Sequence, residues 1–98
     1  MSVISAVTND NGNVLGYSFF CRGCQETHVF WTSGKLVWHF NGDASKPSFS
    51  PSLLNTWTNH DEGVQERCHL FMTDGVISYC TDCTHSLAGT SYQLEERL

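Results

Sequence analysis

Cys68-His69-Leu70-Phe71-Met72-Thr73-Asp74-Gly75-Val76-Ile77-Ser78-Tyr79-Cys80 reads as two strands folded about a two-residue turn. Asp74-Gly75 suits a turn that needs positive φ at both central positions, the geometry that matches the twist of a tight hairpin. That turn sets the register: Thr73 opposes Val76, Phe71 opposes Ser78, and His69 opposes Cys80. Cys68, Leu70, Met72, Ile77 and Tyr79 then share the more apolar face, and a slip of one residue would expose them all.

The flanking sequence extends the same pattern. Val3 to Thr8 and Val14 to Cys21 read as strands joined by the turn-rich Asn9-Asp10-Asn11-Gly12-Asn13. His28 to Thr32 and Lys35 to Phe40 read as a second hairpin around Ser33-Gly34. Asp43 to Ser52 is polar and holds both prolines of the chain, the mark of a loop or protected edge. Leu53 to Thr58 is a weaker strand, and Asn59 to Arg67 a polar connection. Asp82 to Ala88 has the caps of a single helical turn, with Gly89 closing it, and Ser91 to Leu94 is a last short strand. The expected fold is mostly β, a small antiparallel domain with at most one short helical turn, spanning residues 1–98 as one unit.

Composition narrows the function classes. The 98 residues include six Phe, three Trp and three Tyr, enough apolar surface to offset chain entropy and exclude disorder. Five Lys and Arg against ten Asp and Glu leave a net charge of −5, with Asp61, Glu62 and Glu66 in one acidic patch and Glu95 and Glu96 in another. Such a field repels phosphate backbones and anionic lipid, so neither nucleic acid nor a membrane is an expected partner. Met1 to Val7 lacks a basic start and a long apolar run, so the chain is expected to stay in the cytoplasm, where thiols remain reduced.

In that compartment, five cysteines in two close pairs point to metal rather than disulfides. Cys21-Arg22-Gly23-Cys24 and Cys80-Thr81-Asp82-Cys83 each follow a strand, and a two-residue spacing lets a tight turn aim both sulfurs at one tetrahedral ion. The expectation is one structural zinc held by Cys21, Cys24, Cys80 and Cys83 in zinc-ribbon-like knuckles. Cys68, His69 and His85 lie close to the second pair and are alternative ligands, although Cys68 is expected to point into the core. His28 is read as a strand histidine before it is read as a fourth ligand, and His39 and His60 as surface groups. Asp82, Cys83 and His85 do not make a nucleophile, base and orienter, because residues two apart on a helical turn diverge. Pro47, Phe49 and Pro51 offer a proline-held docking ridge, set against the simpler reading of Phe49 as core. Trp31, Trp38 and Trp57 are expected in the core, with one left for an interface.

Phe20-Cys21-Arg22-Gly23-Cys24 with His28, Trp38-His39-Phe40-Asn41-Gly42-Asp43, Pro47-Ser48-Phe49-Ser50-Pro51-Ser52, Cys68-His69 with Asp74-Gly75, and Asp82-Cys83-Thr84-His85-Ser86-Leu87-Ala88-Gly89 form a further pattern. From Tyr17 to Leu94 it resembles a family of small phage and prophage proteins of unknown function, which genomes often label ammonia monooxygenase. That label is physically unsuitable, since the enzyme so named is a membrane-embedded copper complex and this chain has no spanning segment. The resemblance implies a phage-encoded metal-binding protein acting in an infected bacterial cytoplasm. Many members carry cysteine at only one of the positions matching Cys80 and Cys83, which raises Cys68, His69 or His85 as replacement ligands.

Together these readings favour a non-catalytic accessory protein that binds a host or phage protein, for instance to inhibit a nuclease or another defence factor, with no catalytic residues assigned. The alternative is a zinc-dependent hydrolase with an open metal site and Asp43, Asp82 and His85 as acid–base groups. A homodimer through the Pro47 to Pro51 edge belongs to the same set of expectations.

Overall fold

A computed structural model describes residues 2–95; Glu96, from the second acidic patch, lies outside the described residues. Within that range the chain is all β and contains no helix. The strands are β1 (Ser5–Thr8), β2 (Val14–Cys21), β3 (Glu26–Trp31), β4 (His39–Phe40), β5 (Phe49–Asn59), β6 (Val64–Thr73), β7 (Val76–Tyr79) and β8 (Ser91–Gln93). Antiparallel pairing builds a three-stranded sheet in the order β1-β2-β3 and a five-stranded sheet in the order β4-β5-β6-β7-β8. Among the described residues no helix is long and apolar enough to cross a membrane.

The central hairpin forms in the register that its turn dictates: Leu70 pairs with Tyr79, Phe71 with Ser78, Met72 with Ile77 and Thr73 with Val76. Asp74 and Gly75 adopt φ of 50° and 80°. Gly75 also donates its N–H to the Pro47 carbonyl at 2.8 Å, so the turn is docked as well as closed. Cys68, Leu70, Met72, Ile77 and Tyr79 are all buried on one face. Against them lie Phe19 and Phe30 of the three-stranded sheet, with the Phe30 ring stacked on Phe49 at 4.3 Å. Phe30 is fully buried. Phe30→Ala is expected to cost about 3–5 kcal/mol through lost burial and a residual cavity, read as a lowered denaturant midpoint.

Four local expectations give way to tertiary packing. Lys35 to Phe40 does not form a hairpin with the preceding strand; only His39–Phe40 is extended, and it pairs with β5. Aromatic contacts explain the change, since Phe40 stacks on Phe49 at 4.8 Å and Trp38 sets its edge on Phe30 at 5.8 Å. The polar Asn59 to Arg67 stretch is mostly strand, because β5 and β6 form one long ladder up to Asn59–Val64. Asp82 to Ala88 is not helical but is clamped flat on β6, with Thr84 N–H donating to Arg67 O and Arg67 N–H to Thr84 Oγ1, both at 2.9 Å. Trp31 and Trp57 are 42% exposed rather than core.

The β5–β6 ladder carries an irregularity. Phe49 pairs with Met72 and Leu53 with Leu70, so Ser50, Pro51 and Ser52 stand opposite Phe71 alone. A bulge of this kind re-aims the side chains it carries.

Candidate catalytic and metal centres

Two groups of polar side chains lie on opposite faces of β6, and alternation along the strand separates them. His69 points outward, while its neighbours Cys68 and Leu70 point into the core.

On the outer face, the β5 bulge brings Ser52 to His69. Ser52 Oγ lies 3.0 Å from His69 Nε2. On the other side of the ring, His69 Nδ1 lies 3.3 Å from both Asp82 carboxylate oxygens. The Ser52 main chain is fixed by the Trp38 indole, which donates to its carbonyl at 3.2 Å. Partial desolvation raises the Asp82 carboxyl, but the hydrogen bond and charge of His69, aided by Arg67, outweigh this and hold it below the usual range. The Arg67–Asp82 ion pair at 3.4 Å is itself exposed and contributes little. A hydroxyl on imidazole, with the far nitrogen on a carboxylate, has the connectivity of a Ser-His-Asp triad.

The loop that carries Asp82 is anchored from the inner face. Cys83 Sγ donates to His69 O at 3.1 Å and accepts from His69 N at 3.2 Å. Asp82 is therefore held beside His69 by its immediate neighbour in the chain.

On the inner face, Cys21, Cys24, His28 and Cys68 bring their ligand atoms within 4.8 Å of one another and can hold a metal ion. Cys21 Sγ and Cys68 Sγ are 3.9 Å apart. Two sulfurs about 2.3 Å from a tetrahedral ion would be separated by about 3.8 Å. His28 is buried, and its Nε2 has no hydrogen-bond partner among the described residues, the orphaned state that a metal bond relieves. Its Nδ1 lies 3.1 Å from Asn55 Nδ2. Exchanging the oxygen and nitrogen of that amide would let its oxygen accept from Nδ1–H and leave the Nε2 lone pair to an ion. The hydrogen bond from Cys68, joined by those of His28 and Tyr79, draws the Cys21 thiol down to about 3 against the effect of burial. Burial and the Cys21 charge push Cys24 up to about 12, and the bond to Cys21, burial and that same charge push Cys68 well up. One thiolate thus suppresses its neighbours, a repulsion that a divalent cation would reverse.

The expected ligands separate accordingly. Cys21 and Cys24 come together with Cys68 and His28, whereas Cys80 falls in a different group with His69 and Asp82. Cys83 groups with Cys68 and His85, and His85 Nε2 lies 3.5 Å from Cys68 Sγ. The His85 ring packs directly over Gly23, where any Cβ would collide with it. Of the ridge residues, Pro47 and Phe49 are buried, and only Pro51 is exposed. Asp43 is engaged by its own loop, its carboxylate accepting from Ser45 N and Lys46 N, which hold its pKa below the usual range.

A family model described as bacterial ubiquitination-like system serine protease (BubE) matches residues 2–80. The chain belongs to the BubE family. Neither the curated proteins nor the solved structures contain a match. The BubE match includes Ser52 and His69 and stops just short of Asp82. Sequence reasoning misses Ser52 because it carries no local signal beyond a proline-flanked serine. His69 and Asp82 stand out there only as metal or acid–base candidates.

Proposed function

We propose that this BubE-family chain is a serine protease that cleaves a protein linkage in a bacterial ubiquitination-like system, with Ser52 as nucleophile, His69 as general base and Asp82 as its orienter. The observation that carries this reading is the continuous relay from Ser52 Oγ through His69 at 3.0 Å to Asp82 at 3.3 Å. Ser52 Oγ attacks the carbonyl carbon as its proton passes to His69 Nε2. The His69 imidazolium, stabilised at Nδ1 by Asp82, returns that proton to the leaving amine. Water then hydrolyses the acyl-Ser52 ester, with His69 again acting as base. The family description supports the same reaction class.

The ion beneath is proposed to be a structural zinc, held by Cys21, Cys24, Cys68 and His28. Three cysteines and a histidine complete a tetrahedral shell, which leaves no position for metal-activated water. This favours the serine reading over an open-site zinc hydrolase. Binding to a protein partner is common to the protease reading and to an accessory role.

A fluorophosphonate probe distinguishes the readings. Wild-type protein is expected to be labelled once, at Ser52, and Ser52→Ala not at all. No labelling of the folded wild-type protein would overturn the assignment.

A further inference from the structure

A nucleophile needs a means of presenting its substrate, and β5 carries one beside Ser52. The two-residue turn makes Thr73–Val76 a mutually hydrogen-bonded pair, so Thr73, Phe71 and His69 direct their backbone groups toward β7. The Cys80 N–H donating to His69 O at 2.9 Å agrees. Cys68, Leu70 and Met72 therefore face β5, where their partners include Asn55 and Leu53. By the same alternation, Leu54, Thr56 and Thr58 turn their N–H and C=O groups away from β6. On that side β4 covers only Phe49 and Ser50.

The result is a strand edge with no ladder partner among the described residues, running from Leu54 to Thr58 and beginning two residues after the nucleophile. Leu54 is 53% exposed, and Thr56 and Thr58 are exposed. Proteins ordinarily blunt such edges with charge or proline, yet Leu54-Asn55-Thr56-Trp57-Thr58 has neither.

We propose that this edge is the substrate groove: it takes the extended carboxyl-terminal tail of a protein substrate as an added antiparallel strand and delivers the scissile carbonyl to Ser52. The inference rests on the triad reading and specifies its substrate class. A tail running antiparallel to β5 travels from Thr58 toward Ser52 and arrives carboxyl end first, while the folded body of the substrate stays beyond Thr58. At about 3.4 Å per residue, the span from Thr58 to Ser52 is roughly 20 Å, so the tail must supply about six extended residues. Main-chain pairing supplies affinity in this mode of recognition. A folded domain without a free tail could not enter it.

The probe is a hexapeptide–aminocoumarin amide, its sequence the best cleaved from a combinatorial library, compared with its dipeptide truncation and with versions N-methylated at alternate amides. N-methylation on the amides that face β5 is expected to lower kcat/KM about tenfold per lost hydrogen bond, mainly through KM, while methylation of the intervening amides has little effect. Thr56→Pro removes an outward N–H without touching the β5–β6 ladder and is expected to lower hexapeptide kcat/KM by a similar factor. The rate of Ser52 labelling, which needs no tail, reports whether the triad is intact, and the N-methyl series leaves the protein unaltered should the proline variant fold poorly. Indifference to both changes with normal labelling would overturn the edge alone. Absence of labelling in wild type would remove the triad and this proposal with it. A stable dimer that protects the β5 amides from exchange would assign the edge to a second copy and overturn the proposal.

Discussion

Ser52→Ala is expected to lower kcat by about 10⁶ while the fold and metal content stay unchanged, the scale on which serine proteases of unrelated fold respond. The side chain is half-buried and, among the described residues, its hydrogen-bond partner is His69, so its removal leaves little structural debt. Asp82→Asn tests the other end of the relay. An amide at that position favours the wrong imidazole tautomer, and the expected loss is about 10⁴. The two losses should not add, because the groups act as one unit: Ser52→Ala/Asp82→Asn should resemble Ser52→Ala. Steady-state kinetics on the aminocoumarin probes, with thermal melts run alongside, make the comparison. If Ser52→Ala retains wild-type turnover, hydrolysis belongs to some other group.

The second large effect concerns the metal. Structural zinc in finger peptides is worth about 10–16 kcal/mol, whereas a domain of this size has only about 5–15 kcal/mol of net stability. Native mass spectrometry is expected to find one zinc per chain, and Cys68→Ser to lose it. A chelator should then lower Tm by roughly 20 °C or more, since each kcal/mol moves a domain this small by about 4–8 °C. Activity should fall with the metal for a geometric reason. Cys68 precedes His69, and Cys83, which grips the His69 backbone, follows Asp82. Metal-free protein with an unchanged melt would mean that the cysteines are ordinary core thiols.

The candidate centres are only partly legible in the sequence. Cys21 and Cys24 announce themselves because both sulfurs come from one tight turn. Their partner from β6 does not. Cys80 has the better motif, four residues from beginning to end with Cys83, yet Cys68 occupies the inward position of the strand. The hairpin register places Cys68 on the buried face. It does not reveal that Cys21 waits there, and only the packing of one sheet on the other brings the two together. His28 is similar: a strand residue whose buried, unpartnered nitrogen becomes meaningful beside three sulfurs.

The mostly β class, the Asp74-Gly75 hairpin and its buried face follow from the chain alone, because turn chemistry and two-residue alternation act between neighbours. The same local rules fail for Lys35 to Phe40 and for Asp82 to Ala88, where aromatic stacking and bonds to Arg67 outweigh weak intrinsic preferences. The triad is beyond any local reading. Ser52 comes from a bulge, His69 from the outward face of the next strand, and Asp82 from a loop that Cys83 fastens to β6. A relay whose hydrogen bonds span 17 and 13 residues of sequence exists only once the register, the bulge and the packed sheets have placed its three members within reach of one another.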